Sequence, residues 1–201
     1  MRLGLMGGTF DPIHYGHLAA AEAVRHELEL VKVVFVPAGQ PPHKTGHQVS
    51  PAVHRVAMVR LAVASNPLFE LSDIEVGRPG PSYTVDTVSA YRCLYPEAEI
   101  YFLTGTDAVA EIASWHRFDE LLKLCRMISA VRPGCAREVQ DRLAQLPESI
   151  RCRIRLVEVP GVAVSSTEIR DRVRLRKPVK YLLPETVEEY IIQHGLYLNG
   201  G

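Results

Sequence analysis

The sequence predicts an α/β fold: a doubly wound parallel sheet with a small C-terminal helical part. Three observations point there. An apolar run at residues 2–6 ends in Gly7-Gly8, helical spacing follows over residues 17–28, and a β-branched, aromatic run at residues 31–36 closes on Pro37. Strand, helix and strand within the first 36 residues make a βαβ unit, and such a crossover joins parallel strands. Strand-like and helix-like segments then keep alternating to the C terminus.

Each element has its own reason. Over residues 17–28, Leu18, Ala21, Val24 and Leu28 fall on one helical face. Residues 37–50 hold Pro37, Gly39, Pro41, Pro42 and Gly46, which excludes regular structure and predicts an ordered or closing loop. Ser50-Pro51 couples a capping side chain to a first-turn proline and starts a helix to about residue 64. Residues 68–76 read as one strand or two short ones, and residues 77–81 as a turn. A helix over 84–94, a strand over 99–103 and a helical stretch around Trp115 follow, the last continuing over 118–124. Residues 127–131 form a strand broken by Pro133-Gly134, 136–146 a helix and 154–159 a further strand. Ser165-Ser166-Thr167-Glu168 matches a capping box and starts another helix. Pro184 opens the last helix and Gly195 closes it. No linker interrupts residues 1–201, so the reading is one Rossmann-like domain.

Composition narrows the function. Hydrophobic residues are 47% and charged residues 23%, an ordinary globular balance. With 23 basic against 23 acidic residues, broad binding to nucleic acid is disfavoured, because that needs a surplus of Lys and Arg. No secretory leader is read ahead of the first strand, and no apolar stretch nears the ~20 residues that span a bilayer. A cytoplasmic protein without a membrane partner is expected. Cys93, Cys125, Cys135 and Cys152 are scattered without a Cys-x-x-Cys pair, which predicts reduced thiols and no zinc site.

Open α/β sheets bind ligands at the carboxyl ends of their strands, where helix N-termini also point. Three segments fall there. The first is Gly7-Gly8-Thr9-Phe10-Asp11-Pro12-Ile13-His14-Tyr15-Gly16-His17. Its glycines let a backbone approach a ligand closely. His14 and His17 flank a helix start, so imidazoles and backbone amides together form a cradle for a polyphosphate. The segment matches neither a Walker A loop nor Gly-x-Gly-x-x-Gly. Taken singly, these histidines could equally be helix caps. The second segment is Val164-Ser165-Ser166-Thr167-Glu168-Ile169-Arg170, with hydroxyls and amides at a helix start and a guanidinium suited to phosphate. The third set is Pro41-Pro42-His43-Lys44, Ser82-Tyr83-Thr84-Val85-Asp86-Thr87, Leu103-Thr104-Gly105-Thr106-Asp107 with Trp115 after it, and Arg132-Pro133-Gly134.

The first segment resembles the nucleotidyltransferase superfamily pattern ending in His-x-Gly-His, and the second resembles that superfamily's Ser-Ser-Thr-x-Ile-Arg motif. With the third set, the chain resembles the bacterial nicotinate-nucleotide adenylyltransferases over nearly its whole length. That resemblance implies ATP and nicotinate mononucleotide as substrates, with Mg²⁺ held mainly by the ATP phosphates and no dedicated metal ligands. It implies His14, His17 and Arg170 as catalytic residues. Gly7, Gly8, Thr9, Phe10, Gly105, Asp107, Ser166 and Thr167 would bind ATP. Lys44, Thr84, Asp86, Trp115 and Arg132 would bind the acceptor, with Trp115 stacked on the pyridine ring. His26, His47, His54, His116 and His194 are taken as structural or solvated. The rival readings are another transferase of the superfamily, such as a pantetheine-phosphate adenylyltransferase, and a non-catalytic nucleotide sensor. A homo-oligomer stays open.

Overall fold

The computed structural model describes residues 1–41, 49–106 and 112–198. Lys44 and Asp107, with His43, lie outside these residues, as does the middle of the proline-rich loop, residues 42–48. Six described strands form one parallel sheet: β1 (Arg2–Gly8), β2 (Lys32–Pro37), β3 (Phe69–Leu71), β4 (Glu99–Gly105), β5 (Arg126–Val131) and β6 (Ile154–Glu158), in the order β3-β2-β1-β4-β5-β6. The winding reverses between β1 and β4, which pair through Arg2↔Glu99 and Met6↔Leu103. A doubly wound sheet opens its ligand crevice at this switch point, beyond the carboxyl ends of the strands.

Both faces are covered. Side chains alternate along a strand, so Leu3 and Leu5 point to one face of β1 and Met6 to the other. The Met6 face packs under α1 (Tyr15–Glu27), α2 (Ala52–Val63), α7 (Ser166–Arg174) and α8 (Glu185–Gln193), through residues such as Val24, Met58, Ile169 and Ile191. The Leu3/Leu5 face packs under α3 (Thr84–Leu94), α4 (Phe118–Leu124) and α5 (Ala136–Ala144), through Val85, Val88, Leu121 and Val139. The short α6 (Glu148–Arg151) leads into β6. The expected doubly wound α/β architecture, with helices closing the C-terminal end, is therefore observed.

Five local expectations need correction. Ser50 does not cap the second helix, whose N-cap is Pro51 with no side-chain cap hydrogen bond. The first helix begins at Tyr15 rather than His17, because His14 is the N-cap and its N–H donates to His17 Nδ1 at 3.3 Å. The strand expected over 68–76 is only Phe69–Leu71; after Ser72 the chain turns, with the Val76 and Gly77 amides both on the Asp73 carbonyl. Of the helical stretch expected around Trp115, the described residues beside it form a 3₁₀ turn, Ile112–Ser114, which ends before the tryptophan, and the helix resumes only at Phe118. The helix expected over 136–146 stops at Ala144. The capping reading of the second segment holds: Ser165 Oγ accepts the Glu168 amide at 3.1 Å. Glu168 does not complete the box, since its carboxylate is taken by Arg172 at 3.0 Å.

Candidate functional site

Two hollows meet over the carboxyl ends of β1 and β4. One, about 360 Å³, is lined by Gly7, Gly8, Phe10, His14, His17, Thr104, Gly105, Arg132 and Ser166. The other, about 300 Å³, is lined by Gly7, Gly8, Thr9, Glu75, Ser82, Tyr83, Thr84, Phe102, Thr104, Trp115 and His116. Gly7, Gly8 and Thr104 belong to both, so the strand ends form a shared floor. A Cβ on Gly7 would sit 2.8 Å from Phe102 Cζ. It would push the ring that supports Trp115, which meets Phe102 edge-on at 6.0 Å and 88°.

The histidines of the first hollow are stacked, with ring centroids 3.7 Å apart. The turn that caps α1 places them, since His17 sits three residues after the N-cap. His17 Nδ1 is an acceptor, so its neutral imidazole carries the proton on Nε2 and can donate from there. His14 is 6% exposed, and its Nδ1 is buried without a hydrogen-bond partner among the described residues. Burial pulls His14 down from 6.5 to about 4. Burial, and then the nearby His14, pulls His17 down from 6.5 to about 3. Both imidazoles are therefore neutral at pH 7.

The second motif docks on the first. Ser166 Oγ donates to the Pro12 carbonyl at 2.8 Å, and Arg170 donates from Nη1 to the Asp11 carbonyl at 2.7 Å. Arg170 also donates to Thr167 Oγ1 at 3.2 Å. Only Ser166 of these three lines the histidine hollow; Thr167 and Arg170 stand behind it.

The second hollow is an aromatic slot. Tyr83 and His116 stack at 4.1 Å beside Trp115, which is partly buried. Its rim is braced by Ser82, whose Oγ accepts the Gly39 and Gln40 amides at 2.9 and 3.1 Å. Gly39 is required there, because a Cβ would lie 2.4 Å from the Glu75 carbonyl oxygen. Glu75 is buried, accepts from Thr87 Oγ1 at 2.6 Å, and has its carboxyl raised by burial above the ordinary value. Asp86 does not line the slot; it faces Arg117 at 3.4 Å and ties the start of α3 to that of α4. Arg132 stands on the wall of the histidine hollow and not on that of the aromatic slot.

Sequence reasoning missed Tyr83, Glu75 and His116 as slot residues. Tyr83 lay in a quoted motif and His116 beside Trp115, but stacking between them depends on α3 and the 3₁₀ turn meeting in space. A larger hollow, about 660 Å³, lies at the amino ends of β1, β4, β5 and β6, on the side of the sheet away from the crevice. Its Arg2, Arg126 and Arg155 are engaged by Glu29, Glu99 and Glu27, and it lies far from the crevice.

Two hollows on one floor, one walled by stacked histidines and the other by aromatic rings, can hold two ligands side by side. A family model described as cytidylyltransferase-like matches residues 5–172, which defines the class as nucleotidyltransferase. A protein from Moorella thermoacetica named "Probable nicotinate-nucleotide adenylyltransferase" is 56% identical over 98% of this chain and 91% of its own length. One of the same name from Thermoanaerobacter sp. is 51% identical over 98% and 94%. The chain belongs to the nicotinate-nucleotide adenylyltransferase family. A solved structure of the Plasmodium falciparum nicotinic acid mononucleotide adenylyltransferase complexed with NaAD shares the fold, with a TM-score of 0.78 at 20% identity, over 98% of this chain and 97% of that one.

Proposed function

We infer that this protein transfers the adenylyl group of ATP to nicotinate mononucleotide, giving deamido-NAD and pyrophosphate. The observation that carries the reading is the pair of hollows joined by the Gly7-Gly8 floor, with stacked histidines on one side and Trp115 on the other. In this reading the triphosphate lies against His14, His17 and the N-terminus of α1, and Gly8, Thr9, Phe10 and Gly105 shape the space around the nucleotide. Ser166 and Thr167 present hydroxyls and amides at the start of α7. The pyridine ring enters the aromatic slot against Trp115, with Thr84 and the start of α3 behind it. Asp86 acts through its contact with Arg117, holding that slot together. Arg132 serves the acceptor phosphate once that phosphate has reached the α-phosphorus beside the nucleotide hollow. Lys44 and Asp107 keep their expected roles toward acceptor and adenosine.

The chemistry needs positioning and charge neutralisation more than covalent help. The acceptor's phosphate oxygen attacks the α-phosphorus in line, a new P–O bond forms, and the bond to the β-phosphate oxygen breaks as pyrophosphate leaves. His17 donates from Nε2 to a phosphate oxygen, and the orphaned nitrogen of His14 gains a partner. Because its Nδ1 already accepts the His14 amide, the His17 imidazole stays neutral and stabilises the charge of the leaving group through its Nε2 proton. Among the described residues no cluster of three or more His, Cys, Asp or Glu side chains could hold a metal ion. In this reading a Mg²⁺ ion would accompany the phosphates and neutralise their charge when bound.

The same reading takes residues 1–201 as one domain, since both hydrophobic clusters pack on a single sheet. It places the protein in the cytoplasm, acting on small molecules without a nucleic-acid partner. No described helix is long and apolar enough to cross a membrane. The test is pyrophosphate release from Mg²⁺-ATP with nicotinate mononucleotide, nicotinamide mononucleotide or phosphopantetheine supplied separately. Preference for nicotinate mononucleotide supports the reading. Preference for another acceptor overturns the assignment of the slot, and ATP binding without release from any acceptor favours a sensor.

A further inference from the structure

Adenylyl transfer as described leaves one buried polar cluster without a task. Asp11 is 3% exposed, and three segments converge on it. Its Oδ1 accepts from the Tyr197 hydroxyl at 2.7 Å, its Oδ2 from the Ser50 amide at 3.1 Å, and its carbonyl from Arg170 at 2.7 Å. Behind it Arg55, 1% exposed, donates to the carbonyls of Ser50 and Thr9 at 2.9 Å each and of Gly39 at 3.2 Å. The cluster thus joins the C-terminal segment, both flanks of residues 42–48, the first motif and α7.

Backbone conformation marks the same place. Phe10, next to Asp11, has φ +50, and Tyr197 has φ +66. Left-handed conformations at bulky residues persist only where the surroundings over-determine them, and they gather at functional sites. Phe10 is also the ring that meets His17 edge-on at 5.1 Å, so its backbone setting reaches the phosphate cradle directly. Burial and the Asp11 carboxylate hold the Tyr197 phenol well above its ordinary value, so it remains a donor throughout the working range of pH.

We propose that Tyr197 and Asp11 are positioning residues for adenylyl transfer: the Tyr197 hydroxyl fixes the Asp11 carboxylate, and Asp11 fixes both the carbonyl that aims Arg170 and the turn that carries His14. This rests on the adenylyl-transfer reading above. The C-terminal segment is in this way part of the active-site scaffold, although Tyr197 touches no substrate. Misplacing the turn that carries His14, which lines the hollow, costs most where charge develops, so the effect falls on kcat rather than on KM.

The test is Tyr197→Phe, which keeps the ring packed and removes only the hydroxyl. At a temperature where the variant is folded by circular dichroism, its kcat falls about tenfold, while KM for ATP and acceptor changes by less than about twofold. The control is Tyr190→Phe on α8, which loses a comparable bond, Tyr190 Oη to His54 Nδ1 at 3.0 Å, away from the crevice. It keeps the wild-type kcat even where its melting temperature falls as far. Asp11→Asn, which preserves shape and an acceptor for Ser50, retains at least about five times more kcat than Asp11→Ala. Wild-type kcat in Tyr197→Phe, or an equal drop in Tyr190→Phe, overturns the proposal. If Tyr197→Phe does not fold, equal kcat in the two Asp11 variants overturns it. Failure of the wild type to turn over nicotinate mononucleotide refutes the parent reading instead and is seen before any variant is made.

Discussion

Lowering the pH from 7 to 5 should destabilise the protein by an amount set largely by the two stacked histidines. In the unfolded chain each titrates near 6.5, whereas burial holds His14 near 4 and His17 near 3. Between pH 6.5 and these folded values the unfolded state binds protons that the folded state refuses. Stability therefore rises with pH through this window; it is fully present above about 6.5 and is lost as pH falls toward 4 and then 3. At about 1.4 kcal/mol per pH unit per proton, each histidine contributes a loss of about 2 kcal/mol between pH 7 and 5. His17 keeps some contact with water, so about 3 kcal/mol is a fair expectation for the pair rather than the full sum. Urea unfolding at both pH values gives the measurement, set beside a His14→Asn/His17→Asn variant in which no imidazole titrates there. The wild type should lose about 3 kcal/mol more than the variant over this interval. Parallel losses in the two proteins would refute the reasoning, because the pH dependence would then belong to other groups.

Two further outcomes are expected. Trp115→Ala should raise KM for the acceptor by about tenfold, since base–aromatic stacking is worth about 1–3 kcal/mol, and should change KM for ATP little; a large fall in melting temperature with both KM values unchanged would make Trp115 a packing residue only. Ser165→Ala should cost about 1 kcal/mol, lowering the melting temperature by about 2–4 °C, through loss of the 3.1 Å cap to Glu168; differential scanning calorimetry reads this, and an unchanged melting temperature would show that α7 is held by its docking on the Pro12 and Asp11 carbonyls alone.

Local signals in the sequence were sufficient for most of the fold. Apolar runs ended by glycine or proline marked β1, β2, β4 and β5, and the parallel order followed from the βαβ logic of the first 36 residues. Boundaries failed where side chains intervene. Nothing local says that His17 takes the His14 amide and moves the helix start to Tyr15, or that Glu168 prefers Arg172 to completing its box. The histidine hollow was legible as a cluster because Gly7, Gly8, His14 and His17 sit in one short segment. The aromatic slot was half legible: Trp115 stood out, but Tyr83 and His116 reach it from elements separated by a strand. The Asp11 cluster was invisible, because Tyr197 lies 186 positions from its partner.

The switch point between β1 and β4 also shapes what can change. The histidine hollow is walled largely by residues whose supports pack on the Met6 side of the sheet, the aromatic slot by residues supported on the Leu3/Leu5 side. Only the strand ends are common property. Substitutions that reshape one wall are separated from the other by the thickness of the sheet, so either hollow can be altered with little disturbance to its neighbour. The cost of such a division falls on Gly7, which has no freedom to acquire a side chain without disturbing the ring beneath Trp115.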